Sequence, residues 1–253
     1  MIKAANTVAP MLSLHTLSSD LALAKHWLNL PAADRLTYLK TLTPNCPHEL
    51  IASDTSLSAR AYETYIHEQH KIPTRLHTAH DFFNALIWHR FPKSKALLNA
   101  SHVSDTVLNI RSRLRDGLTL LDESGVLLWA PASTLETLQA LHQQHRWSEL
   151  CVAHRDLWHS NVEVHFFGHG ALHTCAQGGH PLFTLKALWL PKKSTHPDED
   201  LHTWLSEHAD AQLPTYFLPL PYLALSELSG PPTASVYQDK LIFRPKSNKK
   251  ICL

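Results

Sequence analysis

The sequence predicts a helix-rich α+β protein, with one domain over 1–253, a proline-hinged helical hairpin and a small, mainly antiparallel sheet. Three observations carry this expectation. Most of the chain repeats apolar residues at helical spacing. A few short runs, within 118–130, 161–168 and 183–190, have strand character instead. No internal repeat, low-complexity tract or obvious linker divides the chain, and 44% hydrophobic residues suffice for a substantial core.

The elements follow in order. Residues 17–43 read as helical: Ser18, Ser19 or Asp20 can cap an apolar stripe of Leu21, Leu23, Ala24, Trp27 and Leu28, and a shorter helix follows Pro31. Pro44 and Pro47 break that pattern. A helix from near Ser56 is expected to end at Pro73. The next helix runs to Phe91, which Pro92 pushes out of helical geometry, and Pro92 can open a second helix in its own first turn. In "LTLLDESGVLLWA", 118–130, two apolar runs flank Asp122-Glu123-Ser124-Gly125, which predicts a β-hairpin whose loop holds the acidic pair. The stretch 133–159 reads as helix. "NVEVHFFG" reads as a strand, "HGALHTCAQ" as a short helix stopped by Gly178-Gly179, and "FTLKALWL" as a strand. From Pro191 the chain is proline-rich, with a helix near 198–208 and an irregular tail. The basic end, 246–253, is expected to be flexible.

The segment "HTAHDFFNALIWHRFPKSKALLNASH", 77–102, does not separate polar from apolar residues as an amphipathic helix should. His80, Asn84, Ile87 and Phe91 share one helix face, and Lys95, Leu98, Asn99 and His102 share another. Polar groups on a stripe that packing would make apolar point to a ligand or to a satisfied buried network. His169 and His173, four apart, present two imidazoles on one face. Elsewhere many of the 20 histidines, such as His15, His26, His48 and His208, sit among ordinary neighbours.

Other classes are disfavoured. The 23 basic and 22 acidic residues nearly balance, so no dedicated nucleic-acid surface is expected. Four dispersed cysteines form neither a zinc framework nor a disulfide scaffold. No Walker or dinucleotide fingerprint is present, and no Gly-x-Ser-x-Gly. The N-terminus carries no secretory signal pattern and no apolar run reaches membrane-spanning length, so a cytoplasmic protein is expected.

"HDFFNALIWHRFPKSKALLN" at 80–99, "RDGLTLLDESG" at 115–125, "FGHGALH" at 167–173 and "VYQDKLIFRP" at 236–245 together resemble the bacterial domain-of-unknown-function family 3025 across about 60–245. The resemblance implies no established activity.

From the residues, the expected function is a metal-dependent, hydrolase-like enzyme acting on a small anionic substrate. His80, Asp81 and His169, with His102 and His173, would hold Zn, Mn or Fe. Asp81 and His80 are adjacent, so their side chains diverge by about 100° and share an ion only if it lies between them. Asn84 and Asn99 would orient the ligands. Lys95, Arg113 and Arg115 would hold the anion, with Asp116 as general base beside Asp81 and Lys95 as the catalytic set. The rival is a non-catalytic binding or scaffold protein in which these groups form a structural buried network.

Overall fold

The computed structural model describes residues 15–54, 57–105, 112–179, 182–229 and 234–246. The expected helix start at Ser56 and all but Lys246 of the basic end lie outside them. The chain forms helices α1 (His15–Asn29) and α2 (Ala32–Leu42), then strand β1 (Glu49–Ala52), helix α3 (Ala59–Gln69) and strand β2 (Lys71–Thr74). Helices α4 (Ala79–Arg90), α5 (Pro92–Asp105) and α6 (Arg113–Ser124) lead into strand β3 (Gly125–Ala130). Helix α7 (Ala132–Gln143), a π turn (Glu149–Ala153) and helix α8 (Arg155–Asn161) precede strand β4 (Glu163–Phe166) and helix α9 (His169–Ala176). Strand β5 (Thr184–Pro191), helix α10 (Pro197–His208), strand β6 (Leu218–Pro221) and helix α11 (Tyr222–Ser229) complete the larger elements.

Strands β1 and β2 pair in parallel as a separate two-stranded sheet. The main sheet has the order β4-β3-β5-β6: its two outer pairings are antiparallel and its central one, β3 with β5, is parallel. Every residue of β3 is buried, as its unbroken apolar run requires of a strand covered on both faces. One cluster of buried side chains runs from Leu17 to Phe243 and includes Trp27, Phe82, Phe83, Trp88 and Trp158.

Local chemistry sets the helix starts. Ser58, Thr78 and Ser112 accept the backbone N–H three residues on and so cap α3, α4 and α6. The start of α5 is capped from another element: Asp198 of α10 accepts Lys93 N at 3.0 Å and Ser94 N at 2.9 Å, a carboxylate at the positive end of a helix. Arg90 reaches back to the buried Asp20 with two hydrogen bonds of 2.5 and 2.6 Å, which ties α4 to α1.

Three expectations need correction. The β-hairpin over 118–130 does not form. Ser112 caps a helix there instead, and Gly117, Leu118, Leu121 and Asp122 bury one helical face, so only 125–130 is strand. Asp122 and Glu123 therefore lie in a last helical turn. Helix α3 stops at Gln69, where His70 takes a left-handed conformation (φ 54°), and Pro73 sits within β2. The tail beyond Pro191 is more ordered than its prolines suggest: Pro219 and Pro221 lie in β6, an edge strand, where a missing N–H is tolerated.

Candidate metal centre

Three helix ends meet beside the two-stranded sheet. Helices α4 and α6 both pack against α9, which brings together His80 from the first turn of α4, Glu123 from the last turn of α6 and His169, the first residue of α9. Each offers one ligand atom, and these atoms lie within 4.8 Å of one another. His80 Nε2 is 3.5 Å from Glu123 Oε2, and His169 Nε2 is 3.6 Å from Glu123 Oε1. The two rings stand edge to face with centroids 4.4 Å apart.

These separations are informative. An N–H···O hydrogen bond is about 2.9 Å long. Ligands arranged around one ion at bonds of about 2 Å sit farther apart, a little over 3 Å from each other. The group could hold a metal. Gly170 leaves room for this arrangement: a Cβ there would land on Glu123 Oε2 and 2.9 Å from the Glu123 carbonyl oxygen, so Glu123 would have to move.

Behind each imidazole stands a carboxylate. His80 Nδ1 is 3.3 Å from Asp81 Oδ1, and His169 Nδ1 is 3.7 Å from Asp122 Oδ1. A carboxylate at Nδ1 turns Nε2 toward a cation. The carboxylates are fixed in turn. Asp81 takes Arg75 N at 2.8 Å, Nε at 3.1 Å and Nη2 at 2.8 Å. Asp122 is paired with the buried Lys95 at 2.5 Å. Among the described residues Glu123 has no lysine or arginine at ion-pair distance and faces only the two histidines.

The electrostatics agree. The Asp81 carboxylate and then that of Glu123 push His80 up to about 9 against the effect of burial. Burial would raise Asp81, yet His80 and Arg75 hold it well below the usual carboxylate range. Burial would likewise raise Asp122, and the Lys95 ammonium and His169 keep it ionised. His80 beside Glu123 lowers that carboxyl too. A site that draws a proton onto an imidazole between two carboxylates is a site for positive charge.

The remaining sequence candidates divide. Asp81 does not join the His80, Glu123 and His169 group: one residue from His80, its carboxylate is taken by Arg75. Lys95 is not available to an anion, because its ammonium is buried against Asp122 and over the Trp88 ring at 5.3 Å. His102 lies outside the three-ligand group; burial pushes it down to about 4, so it is neutral, and it lines a neighbouring cavity. His173 stands edge to face with His80 at 5.8 Å without joining the group. Asn84 donates to the Tyr62 hydroxyl at 2.9 Å, and Asn99 donates to Glu63, at 2.9 Å to its carbonyl and 2.6 Å to its carboxylate. Neither amide bonds to His80, Glu123 or His169. Arg113 is exposed and Asp116 half-buried, and both lie outside the lining of the two cavities described next.

A cavity of about 280 Å³ opens onto the group, lined also by Tyr62, Arg75 and Asn84. A second, of about 150 Å³, is lined by Arg60, His102 and Arg115. Glu63, Asp122 and Glu123 line both. Tyr62, Glu63, Arg75 and Glu123 were absent from the expected site. Glu123 was legible only through the helix that 113–124 forms; Glu63 and Tyr62 share the helical spacing of α3 with nothing local to mark them.

The fold and the site together define a helix-rich α+β protein with a two-histidine, one-carboxylate group able to take a metal ion. A family model described as "Protein of unknown function (DUF3025)" matches residues 49–247, and the chain belongs to that family. No curated protein and no solved structure matches the chain. Among the described residues no helix is long and apolar enough to cross a membrane.

Proposed function

We propose that the protein is a metal-dependent, hydrolase-like enzyme acting on a small anionic substrate. The observation that carries this reading is the pair of imidazole Nε2 atoms turned onto the two oxygens of Glu123, 3.5 and 3.6 Å away. Three nitrogen and oxygen ligands suit Zn, Mn or Fe and leave coordination positions open toward the larger cavity, which is the pattern of catalytic rather than structural sites. An ion there supplies a Lewis acid that polarises a substrate oxygen and makes water easier to deprotonate.

The chain's own groups divide the remaining work. Asp81 and Asp122 hold the two rings in register. Glu63 replaces Asp116 as the group that carries a proton: burial raises its carboxyl above the usual range, Asn99 fixes it, and it lines both cavities. Arg75 and Arg115, one in each cavity wall, take the place of Lys95 and Arg113 as anion holders. A structural network without catalysis is favoured by two buried contacts, Lys95 with Asp122 and Asn99 with Glu63. Against it, His80 and His169 meet the Glu123 oxygens at 3.5 and 3.6 Å, longer than the hydrogen bonds a finished network would make.

Elemental analysis of tag-free protein tests the reading. Wild type is expected to carry about one equivalent of metal per chain. His80→Ala, His169→Ala and Glu123→Gln are expected to lose it, and His80→Ala is expected to change the stability of the metal-free chain by less than about 1 kcal/mol. Metal-free wild type, with a large stability loss in both alanine variants, would establish the network instead.

A further inference from the structure

The two cavities are successive lengths of one cleft. Ala59, Tyr62 and Glu63 lie on one face of α3, and Arg115, Thr119, Asp122 and Glu123 on one face of α6. These faces form its walls, and His102 of α5, which packs against both helices, adds to the lining of the smaller cavity. Ala59, Glu63, Asp122 and Glu123 line both cavities and mark the waist between them. Charge is divided along the cleft. The waist carries three carboxylates: Glu123 faces the two histidines, Asp122 is paired with Lys95, and Glu63 is held by Asn99. A guanidinium stands on either side of it. In the larger cavity Arg75 gives Nε and Nη2 to Asp81, and among the described residues its Nη1 has no hydrogen bond. In the smaller cavity Arg115 Nε is 3.9 Å from Asp105, and among the described residues neither Nη atom of Arg115 has a hydrogen bond.

We infer that the cleft receives a chain with a carboxylate at each end, one held by Arg75 in the larger cavity and the other by Arg115 in the smaller, with its middle over the waist. The inference rests on the reading of His80, Glu123 and His169 as the reacting centre, which places the reacting bond between the two carboxylates. An acidic waist repels an anion, so the charges of such a molecule sit at its ends and its middle is neutral. Each guanidinium already shares an acid, Asp81 or Asp105, so each end suits the single charge of a carboxylate better than the near-double charge of a phosphate. Arg60 adds positive charge only at the exposed rim of the smaller cavity, where water and salt screen it. Arg115 and Glu123 stand at opposite ends of α6, about 12 Å apart along its axis, so several carbons are needed to join the two ends.

Linear diacids, each set against the monoacid of equal length, test the inference by calorimetric titration of wild type as purified and after chelation. Suberate is expected to bind at least about tenfold tighter than octanoate in both samples, because arginines and not the metal hold the carboxylates. Succinate, too short to reach both, is expected to exceed butyrate by less than about threefold. Arg75→Gln and Arg115→Gln are each expected to bring the suberate advantage below about threefold. Equal affinities for suberate and octanoate in wild type, or an advantage that survives either substitution, overturns the inference. So does an advantage that disappears on chelation from protein that stays folded, which would put one carboxylate on the metal. If an arginine variant does not fold, Thr119→Trp decides: its ring occupies the smaller cavity, suberate is expected to lose its advantage, and a retained advantage overturns the inference. Metal content measured on each sample keeps the two readings apart. A suberate advantage that needs both arginines, in protein that takes up no metal, supports the ligand class and overturns the metal reading alone.

Discussion

His142 and His169 are both buried, and both lie on helices that pack against their neighbours through apolar side chains. His142 is fully enclosed: its Nε2 lies 3.0 Å from the Pro219 carbonyl, and its Nδ1 accepts Trp189 Nε1–H at 3.1 Å. Indole nitrogen can only donate, so Nδ1 must be the bare nitrogen and Nε2 the protonated one. Each ring nitrogen has one partner and one role. His169 has neither: its Nε2 is 3.6 Å from one carboxylate and its Nδ1 3.7 Å from another, both beyond hydrogen-bond length. The first histidine is complete as it stands. The second, with His80, is arranged around a point between side chains. Burial alone therefore does not tell these two histidines apart; the distances at both nitrogens do.

The contrast can be broken first at its structural end. His142→Ala is expected to cost about 3 kcal/mol of stability in urea unfolding, through a cavity and two stranded partners, with metal content unchanged. The pH dependence is nearly as large. Burial pushes His142 down to about 4 from the ordinary 6.5. Its folded-state value is thus depressed, so its contribution is complete above pH 6.5 and is lost as pH falls toward 4. Over that window wild type should lose on the order of 3 kcal/mol that a His142→Gln variant does not lose, read from paired urea midpoints.

At the other end the effect to read is metal affinity. Asp81→Asn, which weakens the support behind His80 Nδ1, is expected to lower zinc affinity by about 10- to 100-fold in a chelator competition. Gly170→Ala sharpens the point further. It changes no ligand, yet its methyl group displaces the Glu123 carboxylate, and an affinity loss of about tenfold is expected. An unchanged affinity in Gly170→Ala would show that Glu123 can swing away without consequence.

Local signals carried the sequence reading a long way. The break at Phe91-Pro92, the glycine stop at 178–179 and the strands at 161–168 and 183–190 were legible because proline, positive φ and alternation act within a few residues. His80 and His169 stood out by their neighbours. Glu123 did not, because Asp122-Glu123-Ser124-Gly125 has the composition of a turn and a short apolar run before it fits strand and helix equally. Lys95 was placed on the right stripe with the wrong partner: the carboxylate it meets is on another helix, and no spacing rule connects the two. Asp81 was grouped with His80 by adjacency, and its carboxylate turns to Arg75, a partner that no spacing rule connects to it.

The three residues that meet at Glu123 come from three separate helices, each about forty residues from the next along the chain. An ion bound there would act as a cross-link, closing two long loops of the unfolded polypeptide at once. Loops of that length are entropically expensive to close and lengthen at little further cost. The metal would thus bear on when the middle of this chain can open, and chelation on how readily it unravels, as much as on any reaction at the site.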